Sequence, residues 1–331
     1  MSIATEHEAV LAELRTADKL LLTTHENPDG DALGSLLAMH WILEQLGKQS
    51  VMYMSPDEFP LPWEYRAWTF DGIAGAPPAD VAERTIVFLD CGNIDRMPVD
   101  FLQQDGLHIL NIDHHHDNTR FGTVNLVAPE ASCTAEIVYR LAKDLGVEIT
   151  PPIADALYTG LVTDTGKFMY ENTTAEAHRM AAELIEFGVE PHQVHRRLYE
   201  DLPFRRLQLL ERALASVERH DEGTITVAHL VKDDYAATGA TEQDSEGVVD
   251  HMRAVEGTAV AVLVRELLSD GRDGLRKVSL RATDGRVDVS RVARDFGGGG
   301  HPQAAGFSTP LAFPELVERL RRLVREQLQH V

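Results

Sequence analysis

The chain is 331 residues long, 44% hydrophobic and 25% charged, a profile that fits a globular protein of roughly two domains and excludes a disulfide-stapled miniprotein or a disordered chain. Its 31 Lys and Arg against 53 Asp and Glu leave a formal net charge of −22, a field that repels long polyanions and argues against a protein that slides on duplex DNA. Two cysteines, an amino end without a basic and apolar leader, and no apolar run of about 18 residues predict a reduced, cytoplasmic protein with no membrane span.

In chain order, the periodicity predicts a helix near 6–16, a strand over Lys19–Thr24, a helix over Ala32–Leu46 and a strand over Ser50–Met54. Apolar runs at Thr85–Leu89 and His108–Ile112 predict two more strands, each followed by an acidic residue, and helices are expected near 133–145, 152–163 and 174–187. This alternation is that of a doubly wound α/β domain with a mainly parallel sheet, placed at residues 1–190. Residues 191–220, helical in pattern and interrupted by Pro203, read as a linker. Strands near 224–230, 258–267 and 276–282 and helices near 246–255, 288–295 and 314–329 then predict a smaller mixed α/β domain over 221–331.

Several polar clusters follow these apolar runs. In THENPDGDALGS, His25 ends a strand while Asp29 and Asp31 occupy the turn before a helix, and the bland alternative is a turn in which Asp31 caps that helix. Asp90 follows a strand that reads as buried, so its carboxylate must be paired, protonated or bound to a cation. The adjacent Cys91 reads as a small core residue. In ILNIDHHHDN, imidazoles again follow a strand, and in GLVTDTGKF Asp164 ends an apolar helix, where Thr165 and Gly166 also supply an ordinary helix stop. Ligands of open α/β sheets gather at the carboxyl ends of strands, so His25, Asp90 and the Asp113–His114 pair should converge on one crevice.

The four carboxylates Asp29, Asp31, Asp90 and Asp164 would repel one another there unless cations balanced them. Two divalent ions would do so and would suit phosphoester hydrolysis. Mixed imidazole and carboxylate donors fit Mn²⁺ better than Mg²⁺, with Co²⁺, Fe²⁺ and Zn²⁺ as further options. In the smaller domain, Gly297–Gly300 runs into His301 inside a strand and helix pattern, which favours a ligand-facing loop over a linker. Arg281 on the strand before it could clamp a phosphate or stack on a base.

Five ordered segments, HENPDGDALGS, FLDCG, IDHHHDN, GLVTDTG and FGGGGHPQAAGF, together resemble the motifs of the DHH phosphoesterase superfamily and its DHH-associated carboxyl-terminal domain. The resemblance spans nearly the whole chain. It implies metal ligation by His25, Asp29, Asp31, Asp90, His114 and Asp164, with Asp90 bridging two ions, His115 facing the scissile phosphate and Asp113 supporting the metal ligands. It further implies that Arg281, Gly298, Gly299, Gly300 and His301 bind the far end of the substrate. His116 is a third histidine beyond the motif.

Within the superfamily the chain is most similar to the nanoRNase and 3′-phosphoadenosine-5′-phosphate phosphatase group, since it has no room for the extra nucleic-acid-binding regions of RecJ-type exonucleases. The expected activity is Mn²⁺-dependent release of mononucleotides from very short single-stranded RNA by a homodimer. A phosphodiesterase of cyclic or linear dinucleotide signals and a non-catalytic nucleotide-binding protein are the alternatives.

Overall fold

The computed structural model describes residues 2–66, 68, 70, 73–97, 99–200, 202–268, 274–283 and 285–329. The chain divides into two compact units, Met1–Glu200 and Asp201–Val331. In the first, α1 (Ile3–Thr16) and β1 (Lys19–Thr23) lead into α2 (Gly30–Gln45), β2 (Gln49–Tyr53), β3 (Ile73–Ala74), β4 (Thr85–Leu89), β5 (Ile109–Asp113) and β6 (Val124–Val127). Helices α3 (Thr134–Leu145), α4 (Pro151–Asp164), α5 (Ala175–Glu186) and α6 (Pro191–Tyr199) complete it.

The strands pair in parallel in the order β3-β2-β1-β4-β5-β6. This is the doubly wound sheet expected from the alternating pattern, and its order reverses between β1 and β4, which opens a crevice beyond their carboxyl ends. Both strands are covered on two faces, as central parallel strands require. Leu20, Leu22, Val87 and Leu89 enter one core, while Leu21, Ile86 and Phe88 enter another on the opposite side. The edge strands β3 and β6 lie outside the strands expected from periodicity, because one has two residues and the other opens with a half-buried Val124–Asn125 pair too short to show an alternation.

The second unit runs α7 (Phe204–Ala215), β7 (Glu218–His220), β8 (Ile225–Leu230), α8 (Lys232–Thr238), α9 (Val248–Arg253), β9 (Val260–Glu266), β10 (Arg276–Ala282), α10 (Val289–Arg294), β11 (Gly299–Gly300), β12 (Ala304–Thr309) and α11 (Phe313–Leu328). Its sheet has the order β11-β12-β10-β9-β8-β7, with β8 and β9 parallel and the other pairs antiparallel. The segment 191–220 is shared between the units. Helix α6 buries Val194 and Leu198 in the core of the first, whereas α7 buries Leu209 and Ala213 beside Ala228 and Leu230 of the second. Pro203, at the amino cap of α7, marks the restart, since a proline cannot donate the hydrogen bond that a continuous helix needs. Among the described residues no helix is long and apolar enough to cross a membrane.

Helices α2 and α4 cross closely because glycines stand at the contact. A Cβ on Gly34 would strike the Ala156 carbonyl oxygen, and one on Gly160 would lie 2.8 Å from both the Asp31 carboxylate and the Ala135 methyl. Alanine is the better helix former by about 1 kcal/mol, so propensity alone predicts that Gly34→Ala stabilises. Overpacking should reverse that sign and destabilise by about 1–3 kcal/mol in urea unfolding. A gain in stability would show that the crossing tolerates a wider spacing.

Candidate metal centre

Each sequence-predicted donor of the first unit sits where an element ends. His25 lies just beyond β1, Asp90 directly after β4, Asp113 at the last position of β5 with His114 and His115 following, and Asp164 at the last residue of α4. Asp29 is the amino cap of α2, where its Oδ1 accepts from the Asp31 and Ala32 main-chain N–H groups at 3.0 and 3.1 Å. The cap is therefore Asp29 and not Asp31, because Asp31 has already turned inward as the second helical residue. Asp31, Asp90 and Asp113 are at most 2% exposed, whereas Asp29 is exposed.

Among the described residues of the first unit, donor atoms converge in three groups, each with its atoms within 4.8 Å of one another: His25, Asp29 and Asp90; Asp31, His114 and Asp164; and Asp90, Asp113 and His115. Asp90 belongs to two of them. Its Oδ2 lies 3.6 Å from His25 Nε2, and its Oδ1 lies 3.7 Å from both His114 Nε2 and His115 Nδ1. Its backbone adopts φ 56°, a left-handed conformation that is strained for a residue with a Cβ and recurs at functional sites. That turn swings the carboxylate from the end of β4 into the crevice.

The imidazoles are oriented by their far nitrogens. His25 Nδ1 lies 2.7 Å from the Glu26 carbonyl, which can only accept, so Nδ1 carries the proton and Nε2 faces the carboxylates. His114 repeats the arrangement more loosely, with Nδ1 at 3.4 Å from the Ala131 carbonyl and Nε2 at 3.6 Å from Asp164 Oδ2. His115 Nδ1 is instead 2.7 Å from Asp113 Oδ1, whose other oxygen accepts from Asn118 at 2.5 Å.

Residues that no motif pointed to hold the carboxylates. Asp31 accepts from the main-chain N–H groups of Thr134 and Ala135 at 2.6 and 2.8 Å, at the start of α3, and from Ser35 Oγ at 3.3 Å. Thr134 Oγ1 donates to Asp90 Oδ1 at 2.9 Å, and Asn172 Nδ2 donates to Asp164 Oδ2 at 3.0 Å. In the sequence, Thr134 falls only at the start of the helix expected near 133–145, and Asn172 lies between expected helices.

Charge in this crevice is arranged in opposite directions. Burial, reinforced by Asp90 and Asp164, pushes the Asp31 carboxyl well above the usual carboxylate range. Burial also dominates at Asp164, which rises to about 7 despite the opposing pull of His114. For Asp90, burial is outweighed by contact with His25 and by the charges of His115 and His114, which hold it well below that range. For His114, burial is likewise outweighed, here by Asp164, Asp90 and Asp31, which raise it to about 10. The raised proton affinity of Asp31, Asp164 and His114 reflects a crevice short of positive charge. Burial pushes the neighbouring Cys91 thiol up to about 12, so it stays a protonated core group.

In the second unit, Arg281 lies near the end of β10 with Ala304 as its Cα partner on β12, and the His301 N–H donates to the Ala304 carbonyl at 2.8 Å. The two candidates therefore share one end of the sheet. Arg281 Nε lies 3.6 Å from Asp250 Oδ1. The glycines differ in their reasons. Gly297 and Gly300 have φ of 79° and 134°, and a Cβ on Gly298 would collide with Phe307, so the fold demands glycine at all three. At Gly299 an added Cβ would meet nothing within 4 Å and φ is ordinary.

The pH dependence of metal-free stability follows from Asp164. A carboxyl whose pKa is higher folded than unfolded favours the folded state most below the unfolded value of 3.8, and loses that contribution as pH rises through about 7. In chelator, Asp164→Asn should flatten this part of the profile, so that the variant gains on the parent in thermal unfolding between pH 4 and pH 8. A constant difference across that window would show that Asp164 titrates normally.

The model of the DHH family N-terminal domain matches residues 19–161, and that of the DHHA1 domain matches residues 223–330. A bifunctional oligoribonuclease and PAP phosphatase NrnA of Thermus thermophilus is 36% identical over 317 residues, which cover 93% of this chain and 90% of that protein. The protein of the same name from Bacillus subtilis is 27% identical over 296 residues, covering 88% and 89%. Among solved structures, an exopolyphosphatase-related protein from Bacteroides fragilis shares the fold at a TM-score of 0.84 and 24% identity, covering 98% of this chain and 97% of that one. Two domain models in order, and a relative 36% identical along nine-tenths of both chains, establish that the chain belongs to the DHH family, with a DHHA1 domain at its carboxyl end.

Proposed function

We propose that the protein hydrolyses very short oligoribonucleotides to mononucleotides and removes a phosphate from 3′-phosphoadenosine-5′-phosphate, using two divalent cations, foremost Mn²⁺. The carrying observation is the sharing of Asp90 between buried donor groups, with one oxygen turned to His25 and the other to His114 and His115. The donor set fits such ions, because buried carboxylates that repel one another are joined by imidazoles whose Nε2 atoms face inward. The names of the relatives from Thermus thermophilus and Bacillus subtilis support the substrate class.

In this reading His25, Asp29, Asp31, Asp90, His114 and Asp164 are the ligands. Two cations held there would activate water and neutralise charge on the attacking and leaving oxygens of a phosphoryl centre. His115 faces the phosphate. Asp113 takes the His115 Nδ1 proton in a hydrogen bond, which keeps the ring oriented and raises its pKa against the effect of burial. Nε2 would then be the nitrogen that hands a proton to the leaving oxygen.

In the second unit we assign substrate phosphate contacts to Arg281, Gly298, Gly299, Gly300 and His301. The open space at Gly299, where the fold itself makes no demand for glycine, supports a loop kept bare for a ligand. The net charge of −22 favours short substrates over long polyanions. We further propose a cytoplasmic homodimer.

Protein stripped by chelator, reloaded with Mn²⁺ and incubated with a ladder of RNAs from dinucleotides upward should consume the shortest first and release mononucleotides on chromatography. Preference for a cyclic dinucleotide would move the protein to signalling, and inertness with metal bound would leave a binding protein. Asp90→Ala should lower turnover by at least about a hundredfold while the circular dichroism spectrum stays that of the parent. Gly299→Ala should leave thermal stability unchanged and raise KM for the oligonucleotide. An unaltered KM would remove the loop from the substrate site.

A further inference from the structure

The donor groups of the first unit are tied together by one residue outside every motif. Thr134 is fully buried at the first turn of α3, and it contacts two different carboxylates through two different atoms. Its main-chain N–H donates to Asp31 Oδ2 at 2.6 Å, and its hydroxyl donates to Asp90 Oδ1 at 2.9 Å. Asp31 belongs to the group with His114 and Asp164, and Asp90 to the groups with His25 and Asp29 and with Asp113 and His115.

The hydroxyl bond has a geometric consequence. An ionised carboxylate is an acceptor only, so the Thr134 proton must point at Asp90 Oδ1. That bond holds the plane of the carboxylate with Oδ1 toward α3 and the His114 and His115 rings, which leaves Oδ2 toward His25. Without the hydroxyl, Oδ1 would keep the looser 3.7 Å approaches of His114 Nε2 and His115 Nδ1 in place of a 2.9 Å hydrogen bond, and the terminal torsion of aspartate is a broad one. Ser35 and the Ala135 N–H would still hold Asp31. Loss of the hydroxyl would therefore act on Asp90 alone.

We propose that Thr134 is a positioning residue that sets the orientation of the Asp90 carboxylate, so that two divalent cations are held together rather than one at a time. The inference rests on the metal-dependent reading above and extends it to a residue beyond the ligands. Groups that orient ligands in this way commonly change metal affinity by about 10–100-fold when removed.

The test is calorimetric titration of chelator-stripped, full-length protein with Mn²⁺, with electron paramagnetic resonance of the loaded samples to detect interaction between neighbouring ions. The parent and Thr134→Ser, which keeps the hydroxyl, should bind two ions with an interacting-pair spectrum. Thr134→Val should bind one of the two about 10–100-fold more weakly and lose the pair signal at equal loading. Thr134→Ala removes the hydroxyl without placing a second methyl against Asp90 and should reproduce the loss, which keeps the test open if the valine variant does not fold. Two ions at parental affinity with an intact pair signal in either folded variant would overturn the proposal. A parent that takes up no Mn²⁺ would instead overturn the metal-dependent reading, and this inference with it.

Discussion

The crevice at the carboxyl ends of β1, β4 and β5 gathers more carboxylate than an unassisted protein interior can hold, and much of the first unit compensates for that. Asp31, Asp90 and Asp113 are almost wholly inaccessible to water, and Asp164 lies against His114. Leaving such charges uncompensated costs several kcal/mol each. The protein answers by three means: imidazoles turned inward from two strand ends, the N–H groups at the start of α3 aimed at Asp31, and a raised affinity for protons at Asp31, Asp164 and His114. A divalent cation can replace such protons, so one electrostatic constraint accounts both for the arrangement at rest and for the chemistry it suits.

The same constraint explains features that a stability argument alone would not select. Asp90 holds a left-handed backbone although a glycine would meet less strain there, because only a carboxylate at that turn can face both groups of donors. Gly160 has no side chain because the α2 and α4 crossing leaves no space between it and the Asp31 carboxylate. The tight packing of two helices thus delivers Asp31 to the start of α3.

The glycine run of the second unit combines two kinds of demand. Gly297 and Gly300 need positive φ, and Gly298 needs to be bare where Phe307 approaches, so their identity is already accounted for by backbone conformation and packing. Gly299 alone in the run has neither a positive φ nor a neighbour that an added Cβ would meet. Strand β12, AAGFST, lies inside the sheet yet escapes periodicity, because small residues and a glycine replace the branched side chains that mark a strand.

Much of the doubly wound sheet was legible from local pattern, since a buried parallel strand must be a short apolar run and a ligand crevice must lie where such runs end. His25, Asp90, Asp113 and His114 stand out for that reason. The sequence by itself determined these strand ends, the negative charge and the order of motifs. It could not reveal the Asp29 cap, the edge strands, the division of residues 191–220 between two cores, or the roles of Thr134 and Asn172. Those were decided by tertiary structure. Thr134 meets Asp31 across 103 residues of chain and Asp90 across 44, and no helical or strand period connects such positions. Only the packing of α2 against α4, and of α3 over the strand ends, brings their donors and acceptors within hydrogen-bond reach.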